Sequence, residues 1–224
     1  MTTLIGHTGM IGQTLQDQHC FDRCYNSSNI ESLTDHSHDL VICAAPSGNR
    51  LLINSDPRSD QQNLDRLTKI IACTEIKKFV LISSVDAINY PDTPYGKNRL
   101  MFESFVQEHI PDLHIVRLSS LVGRNIKKNM LYDLKHQMYL EHVNPAAKIQ
   151  WYDLKNLWTD IDLILNLSVR THNFVSEPIQ NQEIIDQFFP TSQVGLEKET
   201  PYCDLQPHWV SKQHIFSAIK EYLQ

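Results

Sequence analysis

Three of the chain's seven glycines, Gly6, Gly9 and Gly12, stand at a strict spacing of three within TTLIGHTGMIGQTL. Between a strand and a helix, such glycines have three uses: a tight turn, close approach of backbone to a pyrophosphate, and close packing of helix on strand. The helix that follows would aim unpaired backbone N–H groups and the positive end of its dipole at a phosphate. The residues of the turn, Gly6, Thr8, Gly9, Met10, Ile11 and Gly12, are the expected contacts. The pattern is GxxGxxG rather than GxGxxG, so its weight comes from its place, strand before and helix after. A plain glycine turn is the alternative.

Other chemistries find less support. The five cysteines form an odd set without a CxxC pair, so neither a disulfide framework nor a zinc site is expected. Pairs such as His36/His38 and His109/His114 lack a second ligand pair at metal spacing, and no metal is expected. A formal net charge of -6 with no basic block argues against nucleic acid as a partner. The longest apolar run, LVICAA at 40–45, is too short for a membrane helix, and the N-terminus lacks the regions of a signal peptide, so a cytoplasmic protein is expected.

The elements that must position the turn follow from periodicity. TTLIG reads as a strand, and Met10, Ile11 and Leu15 mark a helix after it. DLVICAAP is a continuous apolar run ended by Pro46, as in a strand covered on both faces. Leu64, Leu67, Ile70 and Ile71 mark a helix face, KKFVLISSV a strand, the segment from about Tyr95 a helix, and LHIVRLSSLVG another strand. This alternation predicts an α/β fold with a doubly wound parallel sheet, the Rossmann architecture. After Gly123 the reading is less regular: helical KKNMLYDLKHQ, a strand at KIQWYDL, a helix at LWTDIDLILNL, a strand at NFVS, helical NQEIIDQFF and a final amphipathic segment. The expected division is a dinucleotide-binding core over 1–124 and a small substrate lobe over 125–224, packed directly on it, whose late strand and helices complete the core.

GHTGMIG resembles the nucleotide-binding turn of the extended short-chain dehydrogenase/reductase superfamily, the NAD-dependent epimerase/dehydratase family. ICAAP, LISSVDAI, PYGKNRLMFE and VRLSSLVG resemble further segments of that family in the same order, together covering the first 125 residues. The resemblance implies a catalytic set of Ser84, Tyr95 and the residue four after it, which is lysine in the family and Arg99 here. Ser83 is a one-residue alternative to Ser84 and an expected cofactor contact. Ala44 and Ala45 fall beside the adenine and ribose, and Asn63 falls near an asparagine of the corresponding helix. A free phenol titrates near pH ~10 and needs a neighbouring positive charge to shuttle protons at neutral pH. Residues four apart share a helix face, which gives Tyr95 that neighbour in Arg99. Arginine keeps the charge but replaces a compact ammonium with a wide planar fork. Each residue also has a plainer use: Tyr95 as an aromatic at a helix start, Ser83 and Ser84 as hydroxyls satisfying backbone groups.

The cofactor implied is NAD or NADP. The end of the second strand falls near CYNSSNI, which holds no carboxylate for a ribose hydroxyl, and Asn26, Ser27 and Ser28 favour a slight lean to NADP. The expected activity is an oxidoreductase, epimerase or dehydratase acting on a nucleotide-activated sugar or a related hydroxyl or carbonyl compound. The resemblance also implies a homodimer through the helices that carry the tyrosine. A dinucleotide sensor or scaffold with a weakened proton relay is the second reading, and a fold of this kind serving another nucleotide cofactor is the third. Tyr132, Trp151, Tyr152 and Trp158 have two readings, cleft lining or core.

Overall fold

The computed structural model describes residues 1–200 and 202–224. β1 (Thr2–Ile5) ends at Gly6, whose φ of +89° lies in the left-handed region and turns the chain into α1 (Met10–Gln18). β2 (Arg23–Tyr25) follows, and a 3-10 turn over Ile30–Asp35 leads to β3 (His38–Cys43). Next come α2 (Arg50–Ser55), α3 (Pro57–Ala72) and β4 (Ile76–Ser84). Pro57 opens α3, where its missing N–H costs nothing. The short α4 (Asp86–Asn89) precedes α5 (Pro94–His109), whose cap is the Thr93 hydroxyl accepting from the Gly96 N–H at 3.1 Å.

β5 (Leu113–Leu118) and β6 (Ser120–Val122) come next, then α6 (Met130–His136), β7 (Lys148–Ile149), β8 (Trp151–Asp153) and α7 (Leu157–Ile164). The chain closes with β9 (Thr171–Phe174), β10 (Ile179–Gln180), α8 (Asn181–Phe188) and α9 (Lys212–Leu223).

Six strands form the main sheet in the order β2-β1-β3-β4-β5-β9, the expected doubly wound α/β arrangement. β1 pairs in parallel with β2 on one side and β3 on the other, so Ile5 lies between Tyr25 and Cys43, and β3 pairs in parallel with β4. Between β1 and β3 the winding reverses, and ligands of such sheets bind outside the carboxyl ends of the strands at that point. A full Rossmann half has a third strand beyond its second. Here the turn Ile30–Asp35 takes its place and β2 is the edge.

The chain divides into two compact units, residues 1–117 with 157–172, and residues 118–156 with 173–224. The first buries an aliphatic and aromatic core from β1, β3, β4, β5, α3 and α5, including Ile5, Val41, Leu64, Phe79, Phe102 and Ile115. In the second, β6 pairs with β8 and β7 pairs with β10. Around Trp151 pack Val122, Leu131, Ile184, Ile215 and Ile219.

Two expected strands are each divided. LHIVRLSSLVG breaks at Ser119, whose hydroxyl donates to the Phe174 carbonyl at 3.0 Å, into β5 and β6 of different sheets. KIQWYDL breaks at the buried Gln150, whose side-chain amide donates to the Ser176 carbonyl (2.8 Å) and the Leu205 carbonyl (3.0 Å) while its oxygen accepts from the Leu205 N–H (3.0 Å). Of the four aromatic residues with two readings, Trp151 and Tyr152 are fully buried core. Trp158 stacks on His19 at 3.7 Å, and Tyr132 lies tilted against His136. All five cysteines are free, and burial pushes the Cys43 thiol up to about 12. Among the described residues no group of side chains with metal-ligating spacing is present, and no helix is long and apolar enough to cross a membrane.

Candidate active site

The three glycines divide the labour of the first turn. A Cβ on Gly6 would lie 2.6 Å from the Ala44 carbonyl and the Ala45 nitrogen. One on Gly12 would lie 2.2 Å from the Gly6 oxygen. These two let β1, α1 and the end of β3 approach one another, and they bring Ala44 and Ala45 against the turn. A Cβ on Gly9 would meet nothing nearer than the Gly6 oxygen at 3.5 Å, and its φ of -77° is ordinary. Gly9 therefore leaves open space for something other than the chain. It is also the cap of α1, which has no side-chain cap and no acidic residue in its first turn, so the helix start offers its N–H groups outward. Thr8 is exposed beside it, and Met10 and Ile11 are half-buried.

At the end of β2 the loop is tied by its own side chains. The Asn26 Oδ1 accepts from the Ser28 N–H (2.9 Å) and hydroxyl (2.6 Å), and the Asn26 N–H donates to Asn29. Asp22 accepts from the Thr2 N–H at the start of the sheet. Arg66 on α3, which carried no signal in the sequence, donates to the Ser27 carbonyl at 3.0 Å and pairs with Glu31.

Ser83 and Ser84 end β4 and, as neighbours on a strand, point to opposite faces. Ser83 is buried and donates to Glu103 at 2.6 Å, so its hydroxyl faces the protein. The Ser84 hydroxyl accepts from the Asp86 N–H at 3.2 Å and lies close enough to the Tyr95 phenol to favour its ionised form. Tyr95 opens α5 just after Pro94, its N–H donating to the Asn54 side chain at 3.0 Å. Gly96 is required beside it, because a Cβ there would lie 2.0 Å from the Tyr90 carbonyl oxygen. Burial pushes the phenol above the ordinary tyrosine range, while the Arg99 guanidinium and the Ser84 hydroxyl pull the other way.

Arg99 lies over the Tyr95 ring, 5.0 Å from its centroid, as helical spacing predicts. Its main partner was not foreseen. The Arg99 Nη2 donates to Asp60 at 2.6 Å, both side chains are almost fully buried, and Asn98 donates to the same carboxylate oxygen at 2.7 Å. A second guanidinium hydrogen bond reaches the Ser47 carbonyl at 3.3 Å. Asp60 shares the buried stripe of α3 with Leu64, Leu67 and Ile71, and a carboxylate on an apolar stripe is the signal that marks it in the sequence. Asn63 on the same helix is exposed. Below the site, Glu103 accepts a forked pair from Arg117, at 2.5 Å from Nη2 and 3.0 Å from Nε.

A dinucleotide fits this arrangement on two observations: the space left at Gly9, and the Arg99 Nε, a buried donor without a hydrogen-bond partner among the described residues. Gly6, Gly9 and Gly12 with the start of α1 would hold the pyrophosphate. The Arg99 Nε would meet an acceptor oxygen such as a ribose hydroxyl.

No family model matches the chain, and no curated protein matches it in sequence. Its fold is nevertheless that of many solved structures. An NAD-dependent NDP-hexosamine 5,6-dehydratase of tunicamycin biosynthesis shares it at a TM-score of 0.71 and 13% identity, over 97% of this chain and 90% of that one. The UDP-glucose 4-epimerase of Thermotoga maritima shares it at 0.68 and 12% identity, over 91% and 87%. The Bordetella bronchiseptica enzyme WbmG, solved in complex with NAD, shares it at 0.68 and 12%, over 98% and 87%. The first two are a dehydratase and an epimerase, and at such identities the likeness to all three is one of fold.

Proposed function

We propose that the chain is an NAD(P)-dependent enzyme of the extended short-chain dehydrogenase type, acting on a nucleotide-activated sugar or a related hydroxyl or carbonyl compound. One observation carries the reading. The glycine turn after β1, Ala44 and Ala45 after β3, and Ser84 at the end of β4 stand at the carboxyl ends of three neighbouring strands of the sheet, with the Tyr95 phenol near Ser84. When bound, the dinucleotide supplies or accepts hydride. The chain's own part is proton handling: Ser84 orients a substrate oxygen and the phenol, and Tyr95 passes a proton at its Oη. Arg99, over the Tyr95 ring and paired with Asp60, offers its Nε to the ribose.

The lean to NADP rests on CYNSSNI lacking a carboxylate and on Arg66 reaching Ser27. The NAD-dependent neighbours weigh toward NAD. A homodimer through α5 belongs to the same reading, and Leu100 and Met101 are exposed on that helix. The second reading, a dinucleotide sensor with a weakened relay, is favoured by one observation, the commitment of Arg99 to Asp60.

Titration of the protein with NADH and NADPH, followed by nicotinamide fluorescence, tests the reading. One reduced dinucleotide is expected to bind, and Gly9→Ala, which the fold tolerates, is expected to weaken it about tenfold or more by intruding where the pyrophosphate approaches. Absence of binding by both dinucleotides would overturn enzyme and sensor alike. With a substrate in hand, Tyr95→Phe separates the two: lost turnover with retained binding marks the enzyme.

A further inference from the structure

The charges around Tyr95 come from every element packed against it, and each is already paired. Arg99 on α5 meets Asp60 on α3 at 2.6 Å, both about 3–4% exposed. Arg50 on α2 meets Asp86 on α4 at 2.6 Å, the carboxylate buried. Lysine is what the resemblance places at position 99, where a lone ammonium would lower the phenol's proton affinity. In this chain the cation arrives with a carboxylate of its own. A neutral pair acts on a nearby group only through the difference of two opposed Coulomb contributions.

We propose that Asp60 is a positioning residue that holds Arg99 as half of a neutral pair, so that the Tyr95 phenol binds its proton more tightly than beside a lone cation and the site donates a proton in carbonyl reduction. The inference rests on the proposed function and names the substrate class within it. In the step, hydride from a reduced nicotinamide dinucleotide forms a C–H bond at the carbonyl carbon and the C=O π pair moves to oxygen. That oxygen takes the Tyr95 phenolic proton, the dinucleotide leaves oxidised, and the phenolate regains a proton from water. Three features agree with it. The phenol is displaced above the ordinary tyrosine range by burial, despite Arg99. Ser84, at the end of β4, lies near the phenol and would steady the substrate oxygen. Asn98 bonds the Asp60 oxygen that Arg99 uses, which fixes the carboxylate in place.

The test needs no substrate. Ultraviolet difference titration of the whole protein against Tyr95→Phe isolates the ionisation of this one phenol. In the unaltered protein its midpoint is expected above that of a free tyrosine, because burial outweighs Arg99. In Asp60→Asn, which keeps an acceptor for Asn98 but removes the charge, the midpoint is expected to fall by about one pH unit, a tenfold gain in tyrosinate at a given pH. An unmoved midpoint in folded Asp60→Asn overturns the proposal. So does a midpoint below that of a free tyrosine in the unaltered protein, a result that stands even if the variant does not fold. Dinucleotide titration of the same samples keeps the two readings apart. Binding retained with an unmoved phenol sinks the role of Asp60 and leaves the proposed function standing; binding absent with a shifted phenol keeps the hold of Asp60 on the phenol but sinks the proposed function and, with it, the carbonyl reduction.

Discussion

The two compact units bury polarity by different means. The first buries charge in pairs: Arg99 with Asp60, Arg117 with Glu103, and the Asp86 carboxylate with Arg50. The second encloses rings, Trp151, Tyr152 and Phe174, and satisfies its buried backbone mainly through neutral groups, Gln150, Ser176 and Asn181; its buried carboxylate Asp153 meets an imidazole, His214, in place of a guanidinium. Hydrophobic residues of similar volume often replace a buried ion pair without loss of stability, so such pairs are weak evidence for stabilisation. Their concentration in the unit that carries the tyrosine therefore points to what the charges do at the site. The neutral amides of the second unit do the plainer work of closing irregular backbone.

Substitutions sharpen or break this contrast. The largest effect is expected from Glu103→Ala, which strips Arg117 and Ser83 of a shared partner. Urea unfolding should show a loss of about 3 kcal/mol, the cost of stranding one member of a largely buried pair. Gln150→Ala should cost about 2 kcal/mol, since its partners lose neutral hydrogen bonds. If the two losses prove equal, the distinction between ionic and amide burial fails. The smallest effect concerns His114 and His172, a buried pair 3.4 Å apart. Burial holds both below the usual imidazole value of 6.5. The unfolded chain takes up protons more readily than the folded one as pH falls through that value, so stability is complete above it and declines below. The urea midpoint should drop between pH 7 and pH 5, and His172→Phe should flatten that dependence.

The first unit was largely legible because its strands are continuous apolar runs and its helices are long enough to show a stripe. α3, α5, β3 and β4 all lie where periodicity puts them. The second unit resists such reading. β7 and β10 have two residues each, too few for any alternation, and the breaks at Ser119 and Gln150 depend on hydrogen bonds to distant carbonyls. At the site, the proximity of Arg99 to Tyr95 followed from local spacing. The proximity of Asp60 to Arg99 spans two helices, and only the carboxylate's place on the apolar face of α3 hinted at it. The division of Ser83 from Ser84 was open in the sequence, because alternation says that they face opposite ways and not which faces Tyr95.

The unequal tightness of the first turn has an evolutionary consequence. Substitution at position 6 or 12 collides with backbone and is purged whatever the protein does, whereas position 9 is free of such collisions. Glycine retained at 6 and 12 among descendants would record only that the fold persists. Position 9 would record the ligand: it should drift to larger residues in any lineage that gives up the dinucleotide, and stay glycine in those that keep it.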